Sequence, residues 1–209
     1  MSWTDTLEML TVGSSSVVLF CTATTGLHKT DKLLAVSYVM YDGDVKGKSD
    51  TLFLEAPDAT LQPAMQYHQI SPEIMHTKGM SLDTFREELS NVLTGRIGFT
   101  YNVSFQLRAM LEMDGGVFVA QPCVMCDLPL WVKAAESRLT FTVDPIIEKA
   151  EHQIANMVAV PPWKRLLENR GISSRNPPGV LPVEYNAQCL SMLYEALIEE
   201  PPNIELALK

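Results

Sequence analysis

The chain has 209 residues, 46% hydrophobic and 20% charged, a composition that suits a folded globular domain and excludes disorder. Its 16 basic and 25 acidic residues leave a net charge of −9, which excludes broad phosphate-driven nucleic-acid binding but not a local basic groove. Four cysteines are too few for a disulfide scaffold, no apolar run reaches bilayer length, and the N-terminus lacks the features of a signal peptide. A cytoplasmic protein without membrane contact is expected.

Residues 2–11 suit a short amphipathic helix with Trp3, Leu7 and Leu10 on one side. Val17–Phe20 is a continuous apolar run, as in a strand buried on both faces. Two β-rich runs then flank Asp42-Gly43, a hairpin signal. From Asp58 to Gly79 the pattern is loop and short helix, punctuated by Pro63 and Pro72. "SLDTFREELSNVL" reads as a helix capped by Ser81, with Leu82, Phe85, Leu89 and Leu93 on one face.

"RIGFTYN" returns as a strand, "SFQLRAMLEM" as a helix and "VFVAQPCVM" as a strand. Helical patterns run through Trp131 and from Asp144 to Met157. "PPWKRLLENRGI" forms a helix with proline in its first turn and Gly171 near its end. The last long helix covers about Glu184 to Glu199, and the tail 200–209 is expected to be loosely held. Strands first, then strands alternating with helices, describe one α/β domain over 1–209, its core about 15–198, with a mixed central sheet flanked by helices.

Local motifs in this order resemble the DnaQ-like 3′–5′ exonucleases, the family that includes proofreading subunits and RNase T. The family's first strand ends in Asp-x-Glu-Thr-Thr-Gly-Leu, and here the matching stretch is Cys21-Thr22-Ala23-Thr24-Thr25-Gly26-Leu27. A His-Asn-x-x-Phe-Asp motif matches Tyr101-Asn102-Val103-Ser104-Phe105-Gln106. Tyr67-His68-Gln69-Ile70 is similar to the family's His-Gly-Ile turn, and "PCVMCDLPLW" to a strand ending in Asp-Thr-Leu, with Cys126 at the aspartate. "WKRLLENRGI" resembles the helix before the third motif, and that motif's His and Asp align with Tyr185 and Leu190. The resemblance covers roughly 15–198 and implies a ribonuclease-H-like fold.

It also implies a reaction, phosphodiester hydrolysis by two divalent cations held by four carboxylates, with a histidine as general base. Hard cations need converging oxygen ligands, and an Asp-x-Glu pair supplies two because residues i and i+2 of a strand share a face. In this chain the ligand positions are Cys21, Ala23, Gln106 and Leu190, and the base position is Tyr185. Alanine and leucine offer no ligand, glutamine only a neutral carbonyl, and a buried thiol behaves as a small hydrophobe. Tyrosine, with a reference pKa near ~10, is a poor base at neutral pH. Glu184 and Glu195 are expected to point away from this site, and Asp127 to lie on the alternate face of its strand or in the turn after it.

The expectation is therefore an inactive exonuclease-like protein without cofactor or metal, acting as a binding or structural module through a protein partner. Two alternatives stay open: a non-cleaving binder of single-stranded nucleic acid and a residual metal-dependent 3′–5′ exonuclease. Thr22, Thr24, Tyr101, Asn102, Trp163, Lys164 and Arg165 are the candidate partner or nucleic-acid contacts, with Arg108, Arg170 and Arg175 nearby. Cys123-Val-Met-Cys126, with Cys21 and Cys189, raises a zinc site as a rival, disfavoured because residues three apart in a strand face opposite ways. A homodimer is also open.

Overall fold

The first strand organises the molecule because both of its faces are apolar. In the computed structural model, which describes residues 16–28, 30–112, 124–144 and 147–206, β1 spans Ser16–Thr24. The helix expected over 2–11 lies outside the described residues. Val17, Leu19, Cys21 and Ala23 enter one core, and Val18 and Phe20 enter the other. This is the strand period of two applied to a sheet covered on both sides.

β2 (Leu33–Asp42) and β3 (Val45–Leu54) form the expected hairpin, closed through Gly43 at φ 59°. Three short helices follow, α1 (Asp58–Leu61), α2 (Met65–His68) and α3 (Pro72–Lys78), then the two-residue strand β4 (Gly79–Met80). Helix α4 (Leu82–Leu93) starts where the Ser81 hydroxyl accepts the Thr84 N–H. It buries Phe85, Leu89, Val92 and Leu93 against the second core. β5 (Ile97–Thr100), α5 (Val103–Glu112) and β6 (Val124–Asp127) complete a six-stranded sheet of order β4-β3-β2-β1-β5-β6. β1 pairs antiparallel with β2 and parallel with β5, so the sheet is mixed.

On the first-core side lie α6 (Leu128–Ser137), α7 (Ile147–Met157), α8 (Trp163–Asn169) and α9 (Pro182–Glu199). Trp131 of α6, fully buried, packs edge-on against Phe99 and Phe141. The result is a mixed sheet flanked by helices, the ribonuclease-H-like arrangement that the sequence resemblance implies.

The tail differs from expectation. Asn203–Leu206 (β8) pairs in parallel with β7 (Thr140–Val143), and Ile204 and Leu206 pack on the first core. Alternate apolar residues let even this short segment bury one face, but its partner lies far back in the chain. No helix among the described residues is long and apolar enough to cross a membrane.

Candidate functional site

β1 outruns its parallel partner. β5 pairs with β1 only from Val17 to Leu19, and past that point side chains take over the ladder. The Thr100 hydroxyl donates to Phe20 O at 2.6 Å. Gln106 of α5 accepts the Thr22 N–H on Oε1 at 2.8 Å and donates from Nε2 to Tyr101 O at 3.2 Å. Asn102 starts α5 in a left-handed conformation at φ 58°, its side chain accepting the Phe105 N–H and its own N–H donating to Asp127.

The turn after β1 is held from within. Thr25 Oγ1 donates to Asp31 Oδ1 at 3.2 Å, and the His28 N–H donates to Asp31 Oδ2. A Cβ at Gly26 would lie 2.5 Å from Asp31 Oδ2, so a larger residue there would push that carboxylate out of its place in the loop. Asp31 thus has both carboxylate oxygens committed to the loop.

Between this turn, α2 and the start of α9 opens a cleft of about 590 Å³. Its apolar lining comes from Ala23, Ala64, Phe105, Pro182 and Val183, and Asp31 is its one carboxylate among the described residues. Leu27 and Tyr67 also line it, yet they are 81% and 72% exposed. His68, at the back, is a structural residue: Nδ1 accepts the Ile70 N–H at 3.0 Å, so Nε2 carries the proton toward Leu61 O. Burial lowers its pKa. The Thr22 hydroxyl is buried and has no hydrogen-bond partner among the described residues.

Of the five positions that the sequence resemblance assigns to ligands and base, Ala23 lines the cleft and the other four join the interior. Cys21 and Cys189 sit close enough for their charges to interact, and burial, then Cys189, pushes the Cys21 pKa far up. Tyr185 donates its hydroxyl to Ser173 O at 2.9 Å, and burial raises its pKa. Leu190 is fully buried in the first core. No three His, Cys, Asp or Glu residues gather to hold a metal ion among the described residues. The groups at these positions do not fit a hard divalent cation, because they present a thiol, a methyl, an amide committed to backbone and an aliphatic chain. Cys123 lies outside the described residues, and Cys126 is fully buried.

The neighbouring acids have other partners. Glu184 accepts the Leu181 N–H at the start of α9, and Glu195 accepts from Tyr41 and Lys46. Asp127 accepts the Asn102 N–H at 3.2 Å, and burial raises its pKa. Glu151 of α7 accepts both the Asp127 N–H and the Trp131 indole N–H, the latter at 2.9 Å. Burial pushes its pKa up to about 7 against those two hydrogen bonds, and the Asp127 charge adds to the rise.

The aromatic and basic candidates converge only in part. Tyr101 stacks on Trp163 with ring centroids 4.8 Å apart and 29° between planes, and Lys164 and Arg165 follow, exposed, on α8. Lys164 lies 4.0 Å from Glu168. Arg170 instead bridges Glu136 and Glu200 and has a structural role. Arg108 donates to Leu27 O at 3.4 Å and lies over the Phe105 ring. Thr22 lines the cleft, and Thr24, also in its wall, donates to Gly26 O. Sequence reasoning passed over Leu27, Tyr67, Val183 and Asn186 as cleft residues. Leu27 was within reach as the last residue of the Thr-Thr-Gly-Leu turn; the exposure of Tyr67 left no sequence signal.

This fold is that of the exonuclease I structures. The chain resembles exonuclease I from Methylocaldum szegediense at TM-score 0.62 and 13% identity, covering 89% of this chain and 41% of that one. A zinc-bound E. coli exonuclease I complex with single-stranded DNA matches at TM-score 0.61 and 13% identity, over 89% and 41% of the two chains. An apo exonuclease I matches at 0.60 and 12%, over 90% and 43%. The chain therefore spans about two-fifths of the length of the structures it matches. No family model and no curated protein matches the sequence.

Proposed function

We propose that this chain is a non-hydrolytic exonuclease-fold protein that works by binding, its cleft receiving a protein partner. The observation that carries this reading is the composition of the cleft: apolar walls, one carboxylate among the described residues, and both oxygens of that carboxylate hydrogen-bonded within the Thr25–Asp31 loop. A cleft that hydrolyses a phosphodiester by metal-assisted attack needs several carboxylates free to hold the metal. Leu27 and Tyr67, large and mostly exposed beside apolar walls, are what a docking surface presents. The net charge of −9 weighs against a polyanion as the main ligand.

A photo-crosslinking residue at Tyr67 tests the reading in the native host. The reading expects a cross-linked protein, a second copy of this chain included. Cross-linking to nucleic acid alone contradicts it.

One observation favours a second reading. The Tyr101–Trp163 stack beside Lys164 and Arg165 combines an aromatic surface with cations, the combination that holds single strands without cleaving them. Some structures of similar fold are complexes with single-stranded DNA.

A further inference from the structure

We propose that Gln106 is a structural lock that commits the cleft to a metal-independent state; this deepens the non-hydrolytic reading and rests on it. The side chain is 6% exposed and makes two bonds of opposite sense. Its carbonyl accepts the Thr22 N–H at 2.8 Å, and its amide donates to Tyr101 O at 3.2 Å. Thr22 lies beyond the last β1–β5 pair, at Leu19, so Gln106 fills the place of a missing strand neighbour.

A carboxamide does both, and an ionised carboxylate does not. A carboxylate has no donor, so at the same place it keeps the Thr22 bond and turns an oxygen toward the Tyr101 carbonyl. Two acceptors would then face each other with Gln106 buried and Tyr101 36% exposed, an arrangement that loses this bond and sets like partial charges together. A metal-ligating acid and the bond to Tyr101 are mutually exclusive at this position. Position 106 is therefore built for the neutral cleft, and its amide fixes the turn that presents Tyr101 to Trp163.

Thermal denaturation of the full chain and its Gln106→Glu variant, with and without millimolar Mg²⁺ or Mn²⁺, tests the lock. Differences are taken at each pH so that the titration of Glu151 cancels. At about pH 8 the variant melts about 3–10 °C lower. The gap narrows toward about pH 5, where the introduced carboxyl takes up a proton and regains an O–H for Tyr101 O. Neither ion raises either melting temperature.

If the variant does not fold at pH 8, Gln106→Met takes its place. It loses both bonds without adding charge, so its deficit does not vary with pH and its Thr22 amide exchanges faster than in the unaltered chain. A Gln106→Glu protein as stable as the unaltered chain at pH 8 overturns the lock. So does a Gln106→Glu melting temperature that Mn²⁺ raises, or a Thr22 amide that exchanges equally fast in Gln106→Met. DNA shortening by the unaltered protein would sink the non-hydrolytic reading instead and leave these melting outcomes as a separate result.

Discussion

Glu151 holds the indole N–H of Trp131 at 2.9 Å and stands against the Asp127 carboxylate, with no cation beside it among the described residues. Its pKa is raised from 4.5 to about 7, so the folded state binds its proton more tightly than the unfolded chain does. The stability from this group is present below the unfolded value and is lost as pH rises through the folded one. Glu151→Gln keeps an acceptor for both N–H groups and removes the charge. It should stabilise the protein at pH 8 by about 1–3 kcal/mol, discounted for partial exposure, and by little at pH 5. Melting curves across that range decide it; a variant less stable at both ends contradicts the assignment.

Leu190 is fully buried in the first core, so a carboxylate there is cut off from water. Leu190→Asp should cost at least about 3 kcal/mol and leave the chain largely unfolded, with or without Mn²⁺. Circular dichroism reads the loss directly. Recovery of the folded signal on adding Mn²⁺ would mean that a cage persists around this helix.

Leu27 and Tyr67 give the opposite result. Both are exposed, so Leu27→Ala and Tyr67→Ala should change stability by less than about 0.5 kcal/mol. Cross-linking from a probe at Phe105, in the same cleft, should nevertheless fall several-fold in the double variant. An undiminished yield would move the binding surface elsewhere.

The second reading has its own test. If Tyr101 and Trp163 receive bases, a single strand quenches Trp163 fluorescence, binding weakens with salt, and Lys164→Glu with Arg165→Glu abolishes it. Binding that ignores those two changes excludes α8 as the contact.

The sheet was legible where the signal was local. Val17–Phe20 carries no polar residue, Asp42-Gly43 marks a turn, and Ser81 with its spaced apolar residues marks a helix. β7 and β8 were not, because each is four residues long and the partner of each lies about sixty residues away. The motif positions could be aligned from the Thr-Thr-Gly-Leu and Asn102–Phe105 matches, but their contacts could not. That Gln106 bridges Thr22 and Tyr101 depends on where β5 stops. The Glu151–Asp127 contact joins residues 24 apart and has no periodic trace.

On the proposed reading, the purified chain hydrolyses no single strand. The most direct measurement is incubation of the purified chain with 3′-labelled single-stranded DNA and Mg²⁺ or Mn²⁺, beside Gln106→Met as control. Full-length label throughout is the expected result. Metal-dependent loss of label by the unaltered chain, whether or not Gln106→Met shares it, would contradict it.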